Sequence, residues 1–166
     1  SRGLGDVYKR QILKYLETNP TENAQVLIDF INNSEDLYSR KNEIGHITGS
    51  AFIVSSDLKD ALLILHKKYD KWVAPGGHVD PNENSLDAAK RESGEEVGLS
   101  NLELLKPTIL DIDIHRIPTG IKNGVIEPEH WHFDVRYLFK AQHDSVVDIN
   151  LLEAKGFKWP DLEVLK

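Results

Sequence analysis

The chain has 166 residues, of which 40% are hydrophobic, and this is enough to form one domain with a buried core. It has no cysteine, which excludes disulfides, thiolate metal sites and cysteine nucleophiles and leaves oxygen and imidazole as metal ligands. The net charge of −7 argues against wrapping of nucleic acid, and no apolar run reaches the length of about 18 residues that a membrane helix needs, so we expect a cytoplasmic protein that contacts no membrane.

The first 44 residues predict a small helical extension. Its apolar residues recur at helical spacing in two groups, separated by a break at Asn19-Pro20. These residues are Ile12, Leu13, Leu16, Val26, Leu27, Phe30 and Ile31. The two helices could contact a substrate or form a dimer surface, so the sequence is compatible with a homodimer. The chain starts at Ser1 and lacks methionine, which leaves open that residues 1–11 are not native.

From residue 45 the pattern changes to strands and turns. Strands are predicted at 47–55 and 61–66, where they form a hairpin, and then at 102–117, 130–141 and 156–159. A helix is predicted over 85–97, ended by Gly98 as a left-handed cap. Residues 160–163 look like the start of a final helix, which we expect to be truncated.

Three glutamates lie close together on the predicted helix 85–97. Glu92, Glu95 and Glu96 stand at positions i, i+3 and i+4, so their carboxylates project from one side of the helix. The neighbouring stripe, expected to face the sheet, consists of Leu86, Ala89, Ser93 and Val97. Clustered carboxylates repel one another unless cations compensate them, and Mg²⁺ prefers such oxygen ligands. The alternative is an ordinary solvated helix face.

The glutamates belong to a longer pattern that runs from residue 77 to residue 99. The segment GHVDPNENSLDAAKRESGEEVGL resembles the Nudix box, G-x5-E-x7-R-E-U-x-E-E-x-G-U, in which U is apolar. Its fixed positions are occupied by Gly77, Glu83, Arg91, Glu92, Glu95, Glu96 and Gly98. Ser93 departs from the pattern, which has an apolar residue there, and Gly94 within a helix costs about 1 kcal/mol relative to alanine.

This resemblance implies an α/β fold for residues 45–166, an α/β/α sandwich with a mixed sheet between helices. It further implies that Glu92, Glu95, Glu96 and the carbonyl of Gly77 bind Mg²⁺, with Mn²⁺ as a substitute. Glu92 is the first choice for general base, Glu96 and Arg91 share in catalysis, and Arg91 and Glu83 orient the carboxylates. The activity implied is hydrolysis of a phosphoanhydride bond in a nucleoside-diphosphate-linked, nucleotide-like substrate, with water attacking phosphorus.

Two other activities occur on the same fold. One is a sensing module that binds a nucleotide or nucleotide sugar without cutting it, which would not need three mutually repelling acids. The other is an isomerase of prenyl diphosphates, which would need a cysteine that this chain lacks. The GGHVD turn at 76–80 and the HWHFD strand at 130–134 look like a subgroup of Nudix hydrolases whose substrates are not assigned.

Polar residues alternate along the predicted strand 130–141. His130, His132 and Asp134 share one face, opposite an apolar face that starts with Trp131 and Phe133. We expect the polar face to line the substrate site together with two further histidines, His78 and His115. A structural role is the main alternative, and a zinc site made of His115, His130 and His132 is the other.

Overall fold

The computed structural model describes residues 2–165, so that Ser1 of the segment 1–11 and Lys166 lie outside the described residues. In this range the helices are α1 (Arg2–Thr18), α2 (Ala24–Asn33) and α3 (Ser85–Val97). The strands are β1 (Gly45–Val54), β2 (Leu63–His66), β3 (Trp72–Val73), β4 (Gly76–His78), β5 (Glu103–Leu104), β6 (Asp111–Ile117), β7 (Gly120–Lys122), β8 (Val125–Glu127), β9 (His130–Lys140) and β10 (Ala154–Lys158). None of the helices in residues 2–165 is long and apolar enough to cross a membrane.

The central sheet is mixed. Its strand order is β4-β1-β9, and the far edge of β9 pairs with β6 along its first half and with β5 near its end. β1 and β9 run parallel over their whole paired length, whereas the other pairs of this sheet are antiparallel. The predicted α/β class with a mixed sheet is therefore confirmed.

Alternation along β1 and β9 gives the sheet one apolar and one polar face. Phe133 and Tyr137 belong to the apolar face of β9, as the sequence predicts, and both are buried. Helices pack on that face, because Ser85 of α3 shares a hydrogen bond with the Tyr137 hydroxyl at 2.7 Å and Phe30 of α2 stacks on Phe133 at 4.8 Å. The opposite face of the sheet is left to the polar side chains. Ile12 of α1 is buried in the same core, so the helical extension packs against the sheet domain.

The predicted hairpin at 47–66 forms only at its turn. Val54 and Ala61 make one bridge, after which β2 joins a separate antiparallel sheet of order β10-β2-β3. The physical reason is competition for the edges of β1. One edge is occupied by β9, and the other is occupied at residues 48–50 by β4.

Other segments also differ from their predicted form. The predicted strand 102–117 is interrupted around Pro107, which has no N–H to donate to a sheet. The loop 118–128 contains the hairpin β7–β8, whose turn residues Asn123 and Gly124 both have positive φ (52° and 77°), as a type I′ turn requires. Residues 162–165 form a turn with i→i+3 hydrogen bonding, so the expected final helix does not begin within the described residues.

Candidate active site

Helix α3 is held in place by its ends and by its buried stripe. The side chain of Asn84 accepts a hydrogen bond from a backbone N–H of the first turn, and Gly98 ends the helix in the left-handed conformation (φ 70°). Ser93 is fully buried, and its hydroxyl donates to the Ala89 carbonyl at 2.8 Å. The serine at this apolar position therefore leaves no buried polar atom unpaired, and the predicted inward stripe is confirmed.

Three carboxylates meet beside this helix. Glu92, Glu96 and Glu153 each place an oxygen within 4.8 Å of the others. Glu96 is only 4% exposed and accepts a hydrogen bond from the Gly76 N–H at 3.0 Å. Burial and the neighbouring Glu92 charge raise the pKa of Glu96 to about 9, and burial raises the pKa of Glu92. The group therefore favours a bound proton or a bound cation.

Gly77 lies directly against one of these carboxylates. A Cβ atom at this position would stand 2.7 Å from the carboxylate carbon of Glu92, and real Cβ atoms do not approach so closely. A side chain at this position would therefore have to displace the carboxylate of Glu92. Gly77 lies next to the carboxylates, where the Nudix-box resemblance expects it.

Arg91 ties the motif together. Its guanidinium donates to both carboxylate oxygens of Glu83 (2.9 and 3.1 Å), to Glu92 (3.0 Å), to Glu95 (3.1 Å) and to the carbonyl of His78 (2.8 Å). Partial burial alone would raise the pKa of Glu83. The hydrogen bonds from Arg91 outweigh this effect and hold the pKa below its usual value. Arg91 thus connects the loop before α3 to two of the motif glutamates.

The predicted trio of acids is brought together only in part. Glu95 is 55% exposed and pairs with Arg91, and it is not one of the three carboxylates that meet beside the helix. The third member is Glu153, in the turn before β10, which the sequence did not single out. No local pattern marks Glu153, because it reaches the group only through the folding of a distant segment.

Five of the seven histidines gather on the polar face of the sheet. His46, His78, His115 and His130 surround His132, with ring centres between 4.7 and 5.7 Å from it. Two pairs of Nε2 atoms come close, His46 with His78 at 3.1 Å and His130 with His132 at 3.2 Å.

The histidines of this cluster differ in charge. Burial and neighbouring positive groups lower the pKa of His46 to about 4 and that of His78 to about 3, and the pKa of His132 is lowered for the same reasons. The Asp113 carboxylate, 2.8 Å away, raises the pKa of His115. His46, His78 and His132 are therefore neutral at pH 7.

His46 is the member that the sequence did not predict. It begins the run His46, Thr48 and Ser50, which alternates with Ile47 and Gly49 along β1. That alternation of polar residues in a strand is a signal that could have found it.

Asp134 lies between the histidine and carboxylate clusters. It accepts hydrogen bonds from Thr48 (3.0 Å) and Ser50 (2.8 Å) on β1, and burial raises its pKa. The register explains the contact, because Thr48 is the direct neighbour of Asp134 across the parallel pair. Asp134 is therefore fixed by hydrogen bonds from β1 where it lines the cleft.

Both clusters line one cleft of about 780 Å³. The cleft also includes basic side chains, among them Arg40, Lys67 and Lys122. Carboxylates for a cation and basic groups for anions thus face the same space, an arrangement that suits a phosphorylated ligand.

Comparison with known proteins matches residues 46–166 to the family model described as the NUDIX domain. The chain belongs to the Nudix family. A probable DHNTP pyrophosphohydrolase of Lactococcus lactis subsp. cremoris is 30% identical over 134 residues, which cover 78% of this chain and 76% of the relative. An RNA pyrophosphohydrolase of Pelagibacter ubique is 32% identical over 115 residues, which cover 63% of this chain and 71% of the relative.

A solved NUDIX-family hydrolase from Clostridium perfringens superimposes on this Nudix domain with a TM-score of 0.52 and 32% identity, covering 72% of this chain and 83% of that one. The family match and these relatives confirm the prediction of a Nudix pyrophosphohydrolase, a hydrolase acting on pyrophosphate bonds.

Proposed function

We propose that this Nudix domain uses Mg²⁺ to hydrolyse a phosphoanhydride bond in a nucleoside-diphosphate-linked substrate, with water attacking phosphorus. The observation that carries the proposal is the meeting of Glu92, Glu96 and Glu153 in a cleft that also contains basic side chains. A carboxylate whose pKa is raised to about 9 by burial and by a like charge gains most from a cation that replaces its proton.

The donor set fits a hard divalent cation. Glu92, Glu96 and Glu153 would hold Mg²⁺ or Mn²⁺, helped by the Gly77 carbonyl, and Glu95 would complete the set from the rim of the cleft. Such an ion neutralises phosphate oxygens and lowers the pKa of bound water. The tight fit of Gly77 against Glu92 supports this assignment.

The side chains around the acids would orient the reaction. Glu92 is the proposed general base, because burial raises its pKa towards the range in which a carboxylate accepts a proton from water effectively. Glu96 shares in catalysis through the ion, and Arg91 and Glu83 keep the carboxylates in position through their paired hydrogen bonds.

The polar face of the sheet would hold the substrate. We assign contacts with phosphate oxygens or sugar hydroxyls to His78, His115, His130, His132 and Asp134, all of which line the cleft. Among them His115 has a raised pKa because of its hydrogen bond with Asp113, which favours the protonated form and hence a contact with an anionic oxygen. The basic side chains of the cleft would bind further phosphate oxygens.

The test is turnover of a panel of nucleoside triphosphates, nucleotide sugars and dinucleoside polyphosphates with Mg²⁺ in ¹⁸O-labelled water. We expect cleavage of at least one class, with the label in a phosphate product, and a loss on the order of 100-fold or more in Glu92→Gln. Glu103→Gln, which removes an exposed carboxylate paired with Lys140, is the control and should keep full activity. Binding of a panel member without any turnover would instead support the sensing module.

A further inference from the structure

A second group of potential metal ligands lies beside the carboxylates. His46, His130 and His132 each place one ring nitrogen within 4.8 Å of the others. The Nε2 atoms of His130 and His132 are 3.2 Å apart, and the Nε2 of His78 is 3.1 Å from that of His46. Nitrogens bound to one transition-metal ion at about 2.0–2.1 Å are separated by distances of this order.

The ring of His130 is oriented as that of a ligating histidine is. The Nδ1 of His130 is hydrogen-bonded to the Pro128 carbonyl at 2.8 Å, and a carbonyl can only accept, so Nδ1 carries the proton and the Nε2 lone pair is free towards His132. A backbone carbonyl on the outer nitrogen is the usual support of a metal-binding imidazole.

One nitrogen of the group lacks a partner altogether. His46 is 3% exposed, and its buried Nδ1 has no hydrogen-bond partner among the described residues. An unpaired buried nitrogen is unfavourable, because it has lost its hydrogen bond to water and gained none from the protein. The cluster is therefore incompletely satisfied by protein atoms, which independently points to a missing ligand.

We propose that His46, His130 and His132 form a second metal site, which takes an imidazole-preferring divalent ion of the zinc type and not Mg²⁺. Imidazole nitrogens suit Zn²⁺ and neighbouring transition metals, whereas Mg²⁺ requires oxygen. The Nε2 of His46 is paired with that of His78, so Nδ1 is the nitrogen of His46 that has no protein partner in the part of the chain that the structure describes. Burial lowers the pKa of His46 and of His132, which favours the neutral form that binds metal.

This group differs from the zinc alternative considered for the sequence, which used His115. His115 is 45% exposed, and its Nδ1 is engaged by the Asp113 carboxylate. His46 replaces it because the parallel pairing of β1 and β9 puts His46 directly beside His132.

The two proposed metal sites are adjacent, since His78 follows Gly77, which touches Glu92. If the domain hydrolyses a phosphoanhydride as proposed above, an ion on the imidazoles would hold a second phosphate oxygen of the substrate. That role rests on the proposed function, whereas binding of the ion does not.

The experiment is equilibrium dialysis of the whole chain against Zn²⁺ with Mg²⁺ in large excess, followed by measurement of bound zinc. We expect one tightly held Zn²⁺ per chain, with affinity reduced on the order of 100-fold in His130→Ala and in His132→Ala. His143→Ala, which removes an exposed histidine outside the cluster, is the matched control and should bind as the unmodified protein does. Glu92→Gln should retain the zinc and lose hydrolysis, which separates this proposal from the previous one.

Nitrogen NMR of the unmodified protein gives a reading that does not depend on whether a variant folds. Addition of Zn²⁺ should shift the ring ¹⁵N resonances of His46, His130 and His132 and leave those of His143 unchanged. Absence of zinc after dialysis, or zinc binding that is lost in Glu92→Gln and kept in both histidine variants, would overturn the assignment.

Discussion

Replacement of Glu96 by glutamine is the sharpest test of the acidic group, because it should stabilise the metal-free protein while it abolishes activity. The pKa of Glu96 is raised from 4.5 to about 9 by burial and by Glu92. A carboxyl group with a raised pKa lowers the free energy of unfolding only above its unfolded pKa of 4.5. The loss grows as the pH rises from 4.5 to about 9 and is constant above that. Glutamine has nearly the shape of the protonated form and can still accept the hydrogen bond from Gly76.

The size of the effect follows from this shift. Between the unfolded pKa of 4.5 and pH 7 lie about 2.5 pH units, and each unit is worth about 1.4 kcal/mol. Glu96→Gln should therefore raise the free energy of unfolding of the metal-free protein by up to about 3 kcal/mol at pH 7, and the gain should vanish towards pH 4.

The assay is urea denaturation in the presence of a chelator at pH 4, 7 and 9, together with hydrolysis assays with Mg²⁺. Glu95→Gln serves as the control, because Glu95 is 55% exposed and its loss should change the free energy of unfolding by about 0.5 kcal/mol or less. If Glu96→Gln made the metal-free protein less stable than the parent at pH 7, or if the variant kept full hydrolysis with Mg²⁺, the proposed role of this buried acid would be refuted.

Two glycines of the motif lead to opposite expectations. Gly94→Ala should raise the free energy of unfolding by about 0.5–1 kcal/mol and leave activity unchanged, because a Cβ there meets no neighbouring atom within 4 Å. The measurement is urea denaturation, and a lower free energy of unfolding would contradict the expectation. Gly77→Ala should displace the Glu92 carboxylate, 2.7 Å from the added Cβ, and raise the Mg²⁺ concentration for half-maximal activity at least tenfold, on the order of the cost of a disturbed ligand shell. An unchanged Mg²⁺ concentration for half-maximal activity would contradict this, because it would mean that the Glu92 carboxylate can move aside without affecting metal binding.

The sequence predicts correctly those elements whose structure depends on residues close together in the chain. Helix α3 matches its predicted bounds because Asn84 and Gly98 cap it and because its buried stripe recurs at helical spacing. The two faces of β9 follow from alternation alone. Glu92 and Glu96 are one turn apart on one helix, so their meeting also needs no tertiary information.

What the sequence could not predict depends on pairing between distant segments. Glu153 joins the acids only because β10 pairs with β2, which brings the preceding turn to the cleft. β2 itself leaves the central sheet because β4 occupies the edge of β1, a competition that involves three separate segments. The hairpin β7–β8 is different, since Asn123-Gly124 marked it and that turn signal was available in the sequence.

The packing of the core also determines which histidines are neighbours on the polar face of the sheet. His46 lies beside His132 only in one register of β1 against β9, and a slip by one residue would turn Ile47 towards the cleft. Such a slip would also expose Ile53, and exposure of each fully buried isoleucine costs about 1.5–3 kcal/mol. Two such losses are comparable to the lower end of the roughly 5–15 kcal/mol that stabilises a domain. The apolar alternation that builds the core therefore also fixes which imidazoles meet.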